Sequence, residues 1–279
     1  MKFKGWIVLL LGLMISCNKT SEQQITENKD ETGETAETSI ITKEISYPIN
    51  DEEYKSFVAL DSQAKGEIPV VFILPEWWGI TDYTKGRAEQ IASLGYVAVV
   101  VDMFGKGGFV ETPDEAKSQT QPIYADPAWA KKLFESAMHE VQKLPEANAD
   151  KMAAIGYCFG GAMVLNYARA GEPLKGVVSF HGNLSTGVKS ISNSVPMLVL
   201  NGADDKFISE EEIESFKEEM ESAGVDYTFI NYPDALHSFT NPKATEVGQK
   251  FGMNVAYNKE ADEASFEEMK RFLASVFGE

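Results

Sequence analysis

The chain has 279 residues, 43% of them apolar, enough to bury one substantial core. Its formal net charge of −18 argues against nucleic acid and against an anionic membrane surface as partners. The acid is spread over the whole length as on a solvated surface, and neither the 2 cysteines nor the 3 histidines cluster at metal-ligand spacing, so no metal or cofactor is expected.

At the N-terminus, Lys2 and Lys4 precede an apolar run over residues 6–15. The run is too short to span a bilayer and has the length of a secretory hydrophobic region. It ends in Leu13-Met14-Ile15-Ser16-Cys17, which resembles a bacterial lipobox with Met14 where leucine is commoner. The expectation is a signal segment over residues 1–16 and a lipid on Cys17; ordinary cleavage near Ser16, with no lipid, is the alternative. Asn18 after the cysteine, by analogy with known lipoproteins, favours an outer-membrane destination in a Gram-negative cell envelope. Residues 17–42 are rich in Ser, Thr, Glu, Gln and Asn, and cannot bury enough apolar surface to offset their ordering entropy. They read as a tether, leaving the lipid as the one membrane contact and residues 43–279 as a single domain.

Within that domain, residues 44–49 and 55–60 read as a hairpin around Asn50-Asp51-Glu52 at a sheet edge. Ile68–Leu74 and residues 96–101 are near-continuous apolar strands separated by a helix over 81–94 that Gly95 stops. This rhythm indicates an α/β fold with a mostly parallel sheet covered by helices on both faces. A loop is expected over 104–125, then a long amphipathic helix over 126–144 with Ala130, Leu133, Phe134, Ala137, Met138 and Val141 on one face. A strand and helix follow to Ala170, then strands over 174–180 and 195–201. A helix over 209–223 opens on the capping-box pattern Ser209-Glu210-Glu211-Glu212; a last strand covers 226–232 and a closing helix 265–277. The piece between Phe180 and Val195 is too short for a large cap domain, so the pocket is expected to be open or roofed by the loop over 104–125.

The run Ala153-Ala154-Ile155-Gly156-Tyr157-Cys158-Phe159-Gly160-Gly161-Ala162 takes an apolar strand through Gly-x-Cys-x-Gly directly into a small-residue helix. It resembles the strand-to-helix elbow on which α/β-hydrolases expose a nucleophile, with cysteine in place of serine. A buried structural cysteine beside glycines that admit a helix is the alternative reading. A thiol nucleophile needs a base and a group that orients the base. In that fold these arrive in the order nucleophile, acid, histidine, each from a loop at the carboxyl edge of the sheet. Asp205, in Gly202-x-x-Asp205-x-x-Ile208, is preferred over Asp204 as the acid. His237 is the expected base; His139 lies mid-helix and faces solvent. The oxyanion hole is expected from the backbone N–H groups of Phe159 and Trp77. Trp78, Lys106, His181 and Phe239 are candidates for the pocket wall, His181 as wall or support. Glu76 beside an oxyanion hole disfavours a developing negative charge.

Pro75-Glu76-Trp77-Trp78-Gly79, Val101-Asp102-Met103-Phe104-Gly105, Gly156-Tyr157-Cys158-Phe159-Gly160-Gly161, Phe180-His181-Gly182 and His237-Ser238-Phe239 occur in this order, and together the chain resembles the dienelactone hydrolase family from about Glu44 onward. The resemblance implies a lidless α/β-hydrolase fold and a Cys-His-Asp triad of Cys158, His237 and Asp205 acting on small-molecule esters or lactones. It also implies that the carboxylate of Glu76 meets the resting cysteine and is displaced when substrate binds. Family members that hydrolyse dienelactone hold its carboxylate with two arginines. Here those regions read Gly105-Lys106-Gly107-Gly108 and Thr240-Asn241, which points to an uncharged or differently anchored substrate. The reading from another class is a non-catalytic cell-envelope binding protein that kept the fold. Nothing in the sequence sets the oligomeric state.

Overall fold

In the computed structural model, which describes residues 39–190 and 195–278, the sheet starts with a hairpin. β1 (Ile40–Ile49) pairs antiparallel with β2 (Glu52–Asp61) across a two-residue turn whose Asn50 takes φ +54°, a conformation asparagine tolerates. β1 begins at Ile40, so three residues assigned to the tether are strand. The expected signal segment, Cys17 and the rest of the tether up to residue 38 lie outside the described residues.

The remaining strands are β3 (Ile68–Leu74), β4 (Val97–Val100), β5 (Ala147–Tyr157), β6 (Val177–Phe180), β7 (Met197–Gly202) and β8 (Tyr227–Tyr232). They form one eight-stranded sheet in the order β1-β2-β4-β3-β5-β6-β7-β8, antiparallel in the first two pairings and parallel from there on. The helices are α1 (Asp82–Ala92), α2 (Pro113–Ala125), α3 (Pro127–Val141), α4 (Phe159–Ala170), α5 (Glu210–Ala223), α6 (Ala244–Phe251) and α7 (Lys259–Phe277). No cap domain is present among the described residues, and the architecture is the α/β-hydrolase fold expected of the alternating strands and helices.

Because β3 is apolar at every position, it feeds two cores. Val70, Phe72 and Leu74 join Phe134, Met163, Tyr167 and Phe216 from α3, α4 and α5 on one face. Val71 and Ile73 join Ala88, Ile91, Met269 and Leu273 from α1 and α7 on the other. Caps set the helix starts: Asp126 accepts the Ala128 and Trp129 N–H groups at α3 (3.0 and 3.1 Å), and Ser209 with Glu212 closes the capping box at α5.

Beyond the early start of β1, the structure departs from expectation at β6, which begins at Val177 and not at residue 174, and at three helices. Residues 113–125 are a helix, not a loop. Pro113 opens it, Thr112 and Glu115 cap it, and Pro122 lies inside, while only Ala116, Thr120 and Ile123 are buried, which leaves little periodic signal. α6 was not expected, and only its Ala244 and Gly248 are buried. α7 starts at Lys259, where Asn258 caps it by accepting the Ala261 N–H (3.0 Å), not at residue 265.

Candidate active site

Between β5 and α4 the chain turns on a single residue. Cys158 holds φ +54° and ψ −113°, a conformation an L-residue keeps only where its surroundings enforce it. The enforcement is steric. A Cβ on Gly156 would lie 2.1 Å from the Gly160 carbonyl oxygen, and one on Gly160 would lie 2.1 Å from that of Leu74. The Cys158 N–H is shared between the Phe180 carbonyl (3.0 Å) and His181 Nδ1 (3.1 Å).

That shared bond defines the state of His181. Accepting at Nδ1, the ring carries its proton on Nε2 and donates it to Thr240 Oγ1 at 2.8 Å. Burial first, then the neighbouring His237, holds its pKa well below the usual histidine range, so it is a neutral support beneath the elbow. Thr240 is itself held from outside: its hydroxyl meets Tyr83 Oη (2.7 Å) and its carbonyl accepts from Arg87 (2.8 Å), which is paired with Asp262 in a buried ion pair.

His237 follows β8 and comes to the same sheet edge. Its Nδ1 donates to Asp205 Oδ2 at 2.8 Å, and Cys158 is close enough to raise its pKa. Asp205, 5% exposed in the turn after β7, also accepts the Phe207 N–H at 2.8 Å; Asp204 next to it is exposed. Burial alone lowers the pKa of His237, but the charge on Cys158 and hydrogen bonds with Asp205 and Cys158 outweigh it and push the pKa up to about 10. The Phe159 and Trp77 N–H groups have no acceptor among the described residues.

Glu76 is 2% exposed on the wall of the same cavity. Burial foremost raises its pKa, opposed by hydrogen bonds from Asn241 and Ser238 and by the positive charge of His237 and Arg87. Its Oε2 accepts from Asn241 Nδ2 at 2.7 Å, and no hydrogen bond joins it to Cys158 among the described residues.

The cavity above Cys158 holds about 260 Å³. Trp78 lines it as expected, but three candidate wall residues lie elsewhere. Lys106 points to solvent with its side chain 75% exposed, opposite Glu52 at 3.7 Å, because Asp102 gathers the Phe104, Gly105 and Gly107 N–H groups and turns that loop outward. Phe239 is wholly buried against His181 and Tyr232, and His181 supports the elbow from below. Sequence reasoning missed Tyr124 on α2, Val247 on α6, Met253 and Val255 after it, and Asn241. Of these only Asn241 carried a signal, standing where the family places an arginine.

The sequence model of the Dienelactone hydrolase family matches residues 55–277. A protein of Escherichia coli (strain K12) provisionally named carboxymethylenebutenolidase is 24% identical over 230 residues, 74% of this chain and 80% of that one. Among solved structures, the dienelactone hydrolase-like promiscuous phosphotriesterase P91 from metagenomic libraries superposes with a TM-score of 0.77 at 28% identity, over 85% of this chain and 98% of that one. A protein named m3DLH superposes with a TM-score of 0.76 at 29% identity, over 85% and 99%. The family match runs from within β2 to the last residue of α7 and so takes in the elbow, both loops that meet it and the sheet that carries them: the chain is a hydrolase of the dienelactone hydrolase family.

Proposed function

We propose that the protein hydrolyses small-molecule esters or lactones with Cys158 as nucleophile, His237 as base and Asp205 as the group that orients it. The observation that carries this reading is the continuous contact from Asp205 through His237 to Cys158 at the mouth of a cavity. His237 Nε2 takes the thiol proton as sulfur bonds to the carbonyl carbon, and the carbonyl π electrons move to oxygen. The Phe159 and Trp77 N–H groups receive that oxyanion. On collapse the C–O bond to the alcohol breaks, the leaving oxygen takes the proton from His237, and a thioester remains. Water, deprotonated by His237, then attacks the thioester; its C–S bond breaks and the sulfur recovers the proton. Glu76, which shares the cavity, tunes the sulfur by its charge.

The test is mass spectrometry of the protein quenched during turnover of 4-nitrophenyl acetate. An acetyl adduct on Cys158, a burst of one equivalent of 4-nitrophenol and loss of both in Cys158→Ala are the expected results. No adduct and no burst, with residual activity untouched in Cys158→Ala, favour the non-catalytic binding protein. Glu76→Gln should change the rate of Cys158 alkylation by iodoacetamide; unchanged alkylation and unchanged turnover remove Glu76 from the mechanism. We further propose that residues 1–16 are a signal segment and that lipid on Cys17 holds the domain at the cell envelope, which labelling of the full chain with radioactive palmitate tests.

A further inference from the structure

We propose that the cavity at Cys158 takes uncharged esters and lactones with an apolar or aromatic group and rejects those that carry a carboxylate. This rests on Cys158 being the acylated residue, and it adds the substrate class. Among the described residues, no lysine or arginine lines the cavity. Its wall is largely Trp77, Trp78, Phe159, Val247, Met253 and Val255, and its rim is aromatic, with Phe207 52% and Tyr124 40% exposed. Phe207 stands edge-on to the His237 ring and Tyr124 edge-on to Phe159, their centroids 5.0 and 5.3 Å away. A planar or branched apolar substituent leaving the reacting carbonyl meets ring surface on both sides.

Apart from His237, whose charge is paired with Asp205, the nearby cations are turned elsewhere. Arg87 is behind the wall, engaged by Asp262 and the Thr240 carbonyl. Lys243 and Lys250 border a neighbouring cleft, and Lys106 faces Glu52. The one carboxyl at the cavity wall among the described residues is the buried one of Glu76. Its partner Asn241 is neutral and half used already, because its Oδ1 accepts the Lys243 N–H at 3.0 Å. Asn183 likewise spends its Oδ1 on the Ser185 N–H at 2.8 Å, which leaves its amide to donate a neutral hydrogen bond. A substrate carboxylate entering here would give up its water for no counter-charge beyond a His237 already paired with Asp205, and would stand beside a second carboxyl. A neutral ester loses nothing comparable.

The experiment compares three 4-nitrophenyl esters of one chain length on the full domain: hexanoate, methyl adipate and monoadipate. The first two are neutral, and the third replaces the terminal group by a carboxylate. The expected kcat/KM for both neutral esters exceeds that of the monoadipate by about 100-fold or more. Val247→Arg, and Val247→Lys as a smaller change, should narrow that ratio by about tenfold by placing a cation on the wall. Equal turnover of the three esters, or preference for the monoadipate, with Cys158 acylated overturns the substrate class alone. Turnover of all three without acyl-Cys158 overturns the nucleophile assignment and this inference together, as does no turnover at all.

Discussion

His237 sits between two opposed forces, burial that disfavours its charge and its neighbours Cys158 and Asp205 that favour it, and the second prevails. Removing one of the raising partners in Asp205→Asn should bring the histidine down from about 10 toward its ordinary 6.5, as an imidazole NMR titration would read. The same variant frees the ring to turn and should lower kcat by roughly 100-fold or more. The shift also belongs to stability. With the folded value above the unfolded one, its contribution is complete below pH about 6.5 and is lost as pH rises toward about 10. Melting temperature should therefore fall across that window in the wild type and fall less in Asp205→Asn. Glu76 has the opposite sign: a carboxyl raised in the folded state costs nothing below its unfolded value of 4.5 and penalises folding as pH climbs above it. Glu76→Gln keeps an acceptor for Asn241 and loses the charge. It should melt a few degrees higher at pH 8, a change of about 1 kcal/mol, and no higher at pH 4.

At the scale of the elements, the turn into α4 has the least freedom. Gly160→Ala would drive a methyl carbon to 2.1 Å from the Leu74 carbonyl, and no side-chain rotation relieves a contact with backbone. Urea denaturation should show a loss of more than about 3 kcal/mol, with β3 and α4 forced apart. This is also the segment most open to reading from sequence, since a Gly-x-Cys-x-Gly run at the end of an apolar strand has few other uses. The strands β3 and β4 were equally legible because each is an unbroken apolar run, and β6 and β7 because Ser179, Asn201 and Gly202 alone interrupt or end theirs. Chain order put Cys158, Asp205 and His237 in separate loops of one sheet edge, and they lie after β5, β7 and β8. What stayed hidden depends on distant parts of the chain. α2 shows no period because Pro122 interrupts it and one side is solvent. Asn241 meets Glu76 across 165 positions, and no local pattern announces a pair so far apart. Lys106 misled because it stands in the region where the resemblance implies an arginine, but Asp102 collects three of that loop's N–H groups and turns the lysine to water.

Across the whole molecule the site draws on unequal depths. Cys158 stands on β5, in the interior of the sheet between β3 and β6, followed by a helix buried from Phe159 to Arg169. His237 hangs from β8, the last strand of the sheet, which is bonded on one side alone and has a single buried residue, Tyr232. Local opening begins where backbone pairs are fewest and most exposed. In rising urea, ester hydrolysis should therefore fall before far-UV ellipticity does, and the amides of β5 and α4 should be among the slowest to exchange with deuterium. Simultaneous loss of all three signals would mean that the edge and the centre open as one unit. With the proposed base at the periphery and the proposed nucleophile at the centre, the arrangement implies a particular response to heat stress. Brief warming detaches the histidine while the elbow stays sealed, so the thiol is disarmed while its scaffold is still intact. On cooling, activity returns as fast as one loop can close, without waiting for a core to rebuild.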